Sequence, residues 1–143
     1  MVDVSGKEQI FREATATGSI KLKPETIDLI KANKIAKGDP LYTAKIAGVL
    51  AAKKTSDLIP LCHPLPLTNV EVMVKVSNKS TVEATATVKT RAQTGVEMEA
   101  LTAVSAALLT IWDMTKQYEK DPTGQYPSTA IENIFVVKKL KQA

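Results

Sequence analysis

One imidazole and one thiol stand side by side in this chain, at Cys62-His63, and neither residue type occurs again. They lie in the apolar, proline-punctuated run Asp57-Leu58-Ile59-Pro60-Leu61-Cys62-His63-Pro64-Leu65-Pro66-Leu67. Each proline fixes its own φ and drives the preceding residue toward extended backbone, so the run holds the imidazole in a set direction. A histidine held in a set direction is what a reaction site needs. A buried crossing loop whose histidine meets only a local hydrogen bond explains the run equally well. Adjacent residues in extended backbone point to opposite sides, which argues against a Cys-His nucleophile pair and leaves Cys62 a positional role.

Other groups able to move protons or hold anions flank this run. Lys53-Lys54 precede it, and Glu97, Glu99, Asp113 and Lys116 lie in an Ala/Leu-rich helical segment further on. Brought together, they would form a mixed acid, base and cation site. Each also has a simpler explanation. Lysines are favourable at a helix C-terminus, Glu97 fits a capping box with Thr94, and Asp113 and Lys116, at i and i+3, fit a surface pair. Helical geometry puts Glu99 and Asp113 within ~40° of one face but ~21 Å apart along the axis. One small ligand reaches both only if it is long or if a second chain brings the far end close, so the spacing favours a site between subunits.

Composition narrows the classes. A chain of 143 residues fits one domain with its own core, residues 1–143, with a flexible N-terminus over 1–10. One cysteine cannot form an internal disulfide, and one Cys plus one His falls short of the roughly four ligands of a structural zinc, so no metal site is expected and a reducing cytoplasm is the natural compartment. The opening Met1-Val2-Asp3-Val4-Ser5-Gly6-Lys7 lacks the apolar core of a signal peptide, and no apolar stretch reaches membrane length. The net charge of +4 suits an anionic ligand but is too small to imply nucleic acid. Aromatics are 4% of the residues, too few to build a stacking platform for bases.

The elements that must position these groups are legible. Alternation from about Phe11 to Leu22 predicts a half-buried strand. Pro24 opens a short helix through Ile27, Leu29 and Ile30, and Asp39-Pro40 cap a second from Leu41 to Lys54. Its small-residue face of Ala44, Ala47, Gly48 and Ala51 is suited to a close partner, as is the second face of a sheet, so a homo-oligomer is expected. Val70, Val72, Val74 and Val76, then Val82, Ala84, Ala86 and Val88, predict an antiparallel hairpin across Ser77-Asn78-Lys79-Ser80. The Thr94–Glu97 box opens a long helix to about Tyr118, which Asp121-Pro122-Thr123-Gly124 stops. A last strand spans Ile131 to Leu140. This order predicts an α+β, ferredoxin-like antiparallel four-stranded sheet with helices packed on one face.

Three blocks carry a family resemblance: Ala51–Leu65 with its Leu61-Cys62-His63-Pro64-Leu65, Thr94-Gly95-Val96-Glu97-Met98-Glu99-Ala100-Leu101-Thr102-Ala103, and Asp113-Met114-Thr115-Lys116. With the opening Met1-Val2-Asp3-Val4-Ser5, they resemble the molybdenum cofactor biosynthesis protein C family, the cyclic pyranopterin monophosphate synthases, over nearly the whole chain. The resemblance implies conversion of 3′,8-cyclo-7,8-dihydro-GTP to cyclic pyranopterin monophosphate with release of pyrophosphate, in a hexamer of three dimers with sites at the dimer interface. It matches Asp113 to the family's active-site residue and Leu61, Cys62, His63, Met98 and Glu99 to substrate-binding positions, with Glu97 beside them. Lys53 and Lys116 match lysines of the same pocket. The roles it implies are Asp113 and Lys116 as an acid/base pair, Lys53 as phosphate ligand or general acid, His63 as proton donor or oxygen ligand, and Glu99 as holder of the guanine-derived ring. No resident cofactor is implied, magnesium entering only with the substrate phosphates. The chain departs from the family pattern in lacking a Gly-rich basic tail and in a longer Asp121–Ser128 connection. The competing class is a ferredoxin-like nucleic-acid-binding module, which needs aromatics that the strands between Val70 and Val88 lack.

Overall fold

The computed structural model describes residues 1–143, in the order β1 (Ile10–Lys21), α1 (Pro24–Lys31), α2 (Pro40–Lys53), α3 (Thr55–Leu58), β2 (Leu67–Asn78), β3 (Thr81–Ala92), α4 (Glu97–Glu119) and β4 (Ala130–Gln142). All strand pairs are antiparallel and the sheet order is β2-β3-β1-β4. This is the ferredoxin-like arrangement, reached because two β-α-β halves interleave their strands. The hairpin forms where the valine alternation predicts it, Val72 opposite Ala86 and Val74 opposite Ala84. Asn78 turns the chain by accepting the Ser80 N–H at 2.9 Å.

One face of the sheet is apolar and carries the helices. Ala14, Ala16 and Ile20 of β1 and Val82, Ala84, Ala86 and Val88 of β3 are fully buried, and α4 lies over them with Ala100, Ala103, Val104, Ala107, Leu108 and Ile111. Alanines on both surfaces let the helix approach closely. At Gly18 the approach leaves no room for a side chain, since a Cβ there would stand 2.8 Å from Ile134 Cγ1 and 2.9 Å from Val104 Cγ1. The opposite face bears cross-strand threonine pairs, Thr15 with Thr87 at 2.9 Å and Thr17 with Thr85 at 3.2 Å.

Two expectations need correction. Part of the small-residue row of α2 packs within the chain rather than standing free for another. Ala44 and Gly48 of that row are buried, Ala47 and Ala51 are half-buried, and a Cβ on Gly48 would stand 3.1 Å from the Ala103 carbonyl of α4 and from Val72 of β2. What α2 leaves exposed is the stripe Tyr42, Ile46 and Leu50. The capping box is also absent. Helix α4 begins at Glu97 after Val96, which makes no side-chain cap bond. Glu97 is drawn elsewhere, its carboxylate folding over Gly95 and accepting from Lys139 Nζ of β4 at 2.7 Å.

Candidate active site

The proline run is a short helix and a turn before it becomes extended. Thr55 caps back onto the end of α2 through the Ala52 carbonyl at 2.9 Å, α3 ends at Leu58, and the Cys62 N–H closes a turn onto the Ile59 carbonyl at 3.1 Å. Pro60 sits inside that turn, where its fixed φ is favourable. Cys62 and His63 then reach different partners. His63 Nε2 lies 2.7 Å from the Val2 carbonyl. A carbonyl can only accept, so Nε2 carries the proton. Cys62 Sγ lies 3.9 Å from Glu99 Oε1.

A cavity of about 600 Å³ opens between the N-terminal segment, the proline run and the start of α4, lined by Leu61, Cys62, His63, Glu97 and Met98 with Lys7 at its edge. It therefore gathers five of the sequence-predicted binding residues. Glu99 lies behind Cys62, 2% exposed. Its Oε2 is buried with no hydrogen-bond partner in the chain, a costly arrangement for a carboxylate. Burial pushes the Glu99 carboxyl above its usual range, its own N–H opposes this, and the Glu97 charge adds to the rise. Burial and the Glu99 charge likewise push the Cys62 thiol up, so it stays protonated at neutral pH and is no nucleophile. For Glu97, burial is outweighed by the Lys139 hydrogen bond, its own N–H and the charges of Lys139 and Arg12, which together hold the carboxyl low. Two neighbouring carboxyls on one helix start are thus pushed apart in acidity, the pattern that separates an ionised partner from one able to hold a proton.

A second cluster lies at the far end of α4. Asp113 is exposed and its carboxylate is gripped from both sides, by Lys116 Nζ on Oδ1 at 3.1 Å and Lys37 Nζ on Oδ2 at 3.0 Å. Lys37 also donates to the Asp113 carbonyl at 3.1 Å. The hydrogen bonds from Lys37 and Lys116 hold the Asp113 carboxyl below the usual range, and their charges add to this against a small effect of desolvation. Sequence reasoning missed Lys37. It sits in the polar Lys37-Gly38-Asp39 stretch between α1 and α2, with no local pattern to distinguish it, and it meets Asp113 only through the tertiary fold. Lys53 is apart from both clusters. It is exposed in the last turn of α2, beside a cavity of about 380 Å³ lined by Val49, Leu65, Leu67 and Asn69. Lys54 pairs with Asp57 at 3.9 Å.

The chain therefore holds an apolar-walled cavity with an orphan carboxylate buried behind its Cys62 wall, and separately a carboxylate between two ammonium groups. No helix of the chain is long and apolar enough to cross a membrane. The family model described as "MoaC family" matches residues 1–141. The chain belongs to the MoaC family. It is 58% identical to a probable cyclic pyranopterin monophosphate synthase of Thermococcus kodakarensis over 99% of this chain and 90% of the relative. A protein of the same description from Sulfolobus acidocaldarius is 55% identical over 99% of this chain and 98% of its own length. A third, from Methanococcoides burtonii, is 56% identical over 99% and 89%. The nucleic-acid alternative finds no support in this MoaC family member, whose threonine-paired sheet face offers hydroxyls where base stacking needs rings.

Proposed function

We propose that this chain is a cyclic pyranopterin monophosphate synthase of molybdenum cofactor biosynthesis, a lyase that converts 3′,8-cyclo-7,8-dihydro-GTP to cyclic pyranopterin monophosphate and pyrophosphate. The observation that carries the reading is full-length similarity to relatives of that description, up to 58% identity, in a chain whose cavity and charged clusters suit the chemistry. The reaction needs proton transfers to open and reclose the purine-derived ring, and an oxygen must attack the α-phosphorus as the bond to pyrophosphate breaks. Proton transfer by positioned groups contributes about 10²- to 10⁴-fold per step. Ammonium groups aimed at the phosphates stabilise the charge that passes to the leaving pyrophosphate.

The residues divide these tasks. Glu99, with an unpartnered oxygen facing no donor of its own chain, holds the N–H groups of the guanine-derived ring. Leu61, Cys62 and Met98 wall that ring, and His63 serves as proton donor, its Nε2–H exchanging the Val2 carbonyl for an oxygen of the sugar or ring. Asp113 orients Lys116 and Lys37 and exchanges protons with them, and Lys53 binds phosphate. Because Glu99 and Asp113 are ~21 Å apart along one helix, the Asp113 cluster of one subunit completes the cavity of another. The exposed Tyr42-Ile46-Leu50 stripe offers apolar surface for the assembly, a hexamer built as a trimer of dimers. With one free thiol and no disulfide, the protein suits the reducing cytoplasm. Incubation with the cyclised GTP intermediate, followed by detection of pyrophosphate and of the oxidised pterin fluorescence, tests the reading. Release of both in equal amounts is expected, and neither product from folded, assembled protein would exclude it.

A further inference from the structure

The catalytic reading leaves open what holds Lys37, an exposed lysine on a connection between helices, against Asp113. An exposed ion pair between mobile side chains is held weakly unless the backbone beneath it is fixed. Here it is fixed twice. Ile35 is buried in the core, and the turn it begins is closed by the Gly38 N–H donating to the Ile35 carbonyl at 3.1 Å. Gly38 stands at φ +114, a backbone region open to glycine and strained for other residues, so the turn is built to end there. Within the turn the exposed Ala36 has no polar side chain, yet its N–H donates to the Tyr118 hydroxyl at 2.7 Å. The Tyr118 ring packs against the hydrophobic core, so the hydroxyl itself is held in place. The next residue, Glu119, is fully buried and locks this end of α4 by accepting from the Lys23 N–H, the Thr26 hydroxyl and, at 2.6 Å, the Thr129 hydroxyl.

We propose that Tyr118 is a positioning residue, whose hydroxyl fixes the Ile35–Gly38 turn through the Ala36 N–H and so delivers Lys37 to Asp113. The proposal rests on the reading that Lys37 and Asp113 act together in the reaction. Both ends of the arrangement belong to α4, which carries Asp113 and, little more than a turn later, the hydroxyl that aligns its partner. The helix thus serves as a ruler between the fixed turn and the carboxylate. Loss of the hydroxyl leaves Lys37 in the chain but frees the backbone on which it stands, and misplacement of a reacting group by about 1 Å can cost up to about 10²-fold in rate.

The test compares wild type, Tyr118→Phe and Lys37→Ala as full-length assembled proteins. The charged groups set against Asp113 are Lys37 from the connection and Lys116 from its own helix, so the Asp113 titration reports on Lys37 directly. Phenylalanine keeps the packed ring. Melting and assembly are expected to stay near wild type, the Asp113 midpoint followed by carboxyl-carbon NMR to rise toward that of Lys37→Ala, and turnover to fall by about 10- to 100-fold. The Ala36 amide should be protected from hydrogen exchange in wild type, a measurement that needs no variant to fold. An Asp113 midpoint that rises in Lys37→Ala but stays at the wild-type position in Tyr118→Phe overturns the proposal, as does free exchange of the Ala36 amide in wild type. The pairing reading fails separately, if Lys37→Ala raises the midpoint without loss of turnover.

Discussion

Replacing Glu99 by glutamine should make the protein more stable and less active. The residue is 2% exposed, Oε1 meets the Cys62 thiol at 3.9 Å, and Oε2 has no partner. An unsatisfied buried polar group costs ~1–3 kcal/mol and an ionised one more, so removal of the charge with the shape kept should stabilise by about 1 kcal/mol at pH 8. For a domain of this size that is about 3 °C in Tm. The pH dependence fixes the sign. The folded-state carboxyl titrates above its ordinary value of 4.5, so below that value both states are protonated and no charge is buried. The penalty builds as pH rises from the ordinary value to the raised folded value and is constant above it, so the advantage of Glu99→Gln should be larger at pH 8 than at pH 4. Urea unfolding at fixed protomer concentration measures it, with turnover followed in parallel and expected to fall about 10²-fold or more. A variant destabilised by 1 kcal/mol or more at pH 8 would mean that Oε2 already has a protein partner, and the claim that it is kept for the substrate ring would fail.

Other outcomes follow from the same geometry. Asp113→Asn should lower turnover by about 10²-fold or more with melting unchanged, Lys116→Ala should cost a similar amount, and the double variant should cost much less than the sum; full additivity in steady-state kinetics would separate the two residues. Gly18→Ala should destabilise by about 1–3 kcal/mol in urea unfolding, because the new methyl meets Ile134, Val104 and Leu108 at 2.8–3.0 Å, and an unchanged midpoint would show that the core yields there. Sedimentation equilibrium should find a species much larger than 15.4 kDa, while an active monomer would remove the shared site. Affinity should fall from guanosine triphosphate to diphosphate to nucleoside in titration calorimetry, and equal binding would mean that the lysines contact no phosphate.

The four strands and the helices α1, α2 and α4 were legible because each obeys one period, whereas the four-residue α3 is too short to show one. The valine alternation of β2 and β3, the Asp39-Pro40 cap and the Asp121 turn are local signals, and each element stands where its signal lies; Asp39 caps through Leu41 and Tyr42, and Asp121 accepts from Thr123 and Gln125. The errors arose where a distant residue outcompeted a local rule. Glu97 fits a capping box in sequence but finds the Lys139 ammonium on β4, and Gly48 of the α2 small-residue row fits an interface but lies against Ala103 and Val72. Of the candidate site, His63 and Glu97 stand out in the sequence by residue type and Cys62 and Met98 only through the family resemblance, and one short run and one helix start bring all four to a single cavity. Lys37 was not, because a lysine in a polar loop carries no sign of the carboxylate it meets. The Val2 carbonyl on His63 was hidden for the same reason, since a backbone acceptor leaves no residue-type signature.

Mixing two inactive variants shows whether the synthase site is completed across subunits. Glu99→Gln spoils the cavity and Asp113→Asn the carboxylate cluster, so each assembled alone should be nearly inactive. Unfolded together in equal amounts and refolded, random pairing places an intact cavity against an intact cluster in about one site in four. Recovery of roughly a quarter of wild-type pyrophosphate release from the cyclised dihydro-GTP is the predicted result. Mixed assemblies no more active than the separate variants would place both halves of the site in one chain and rule out a site shared between subunits.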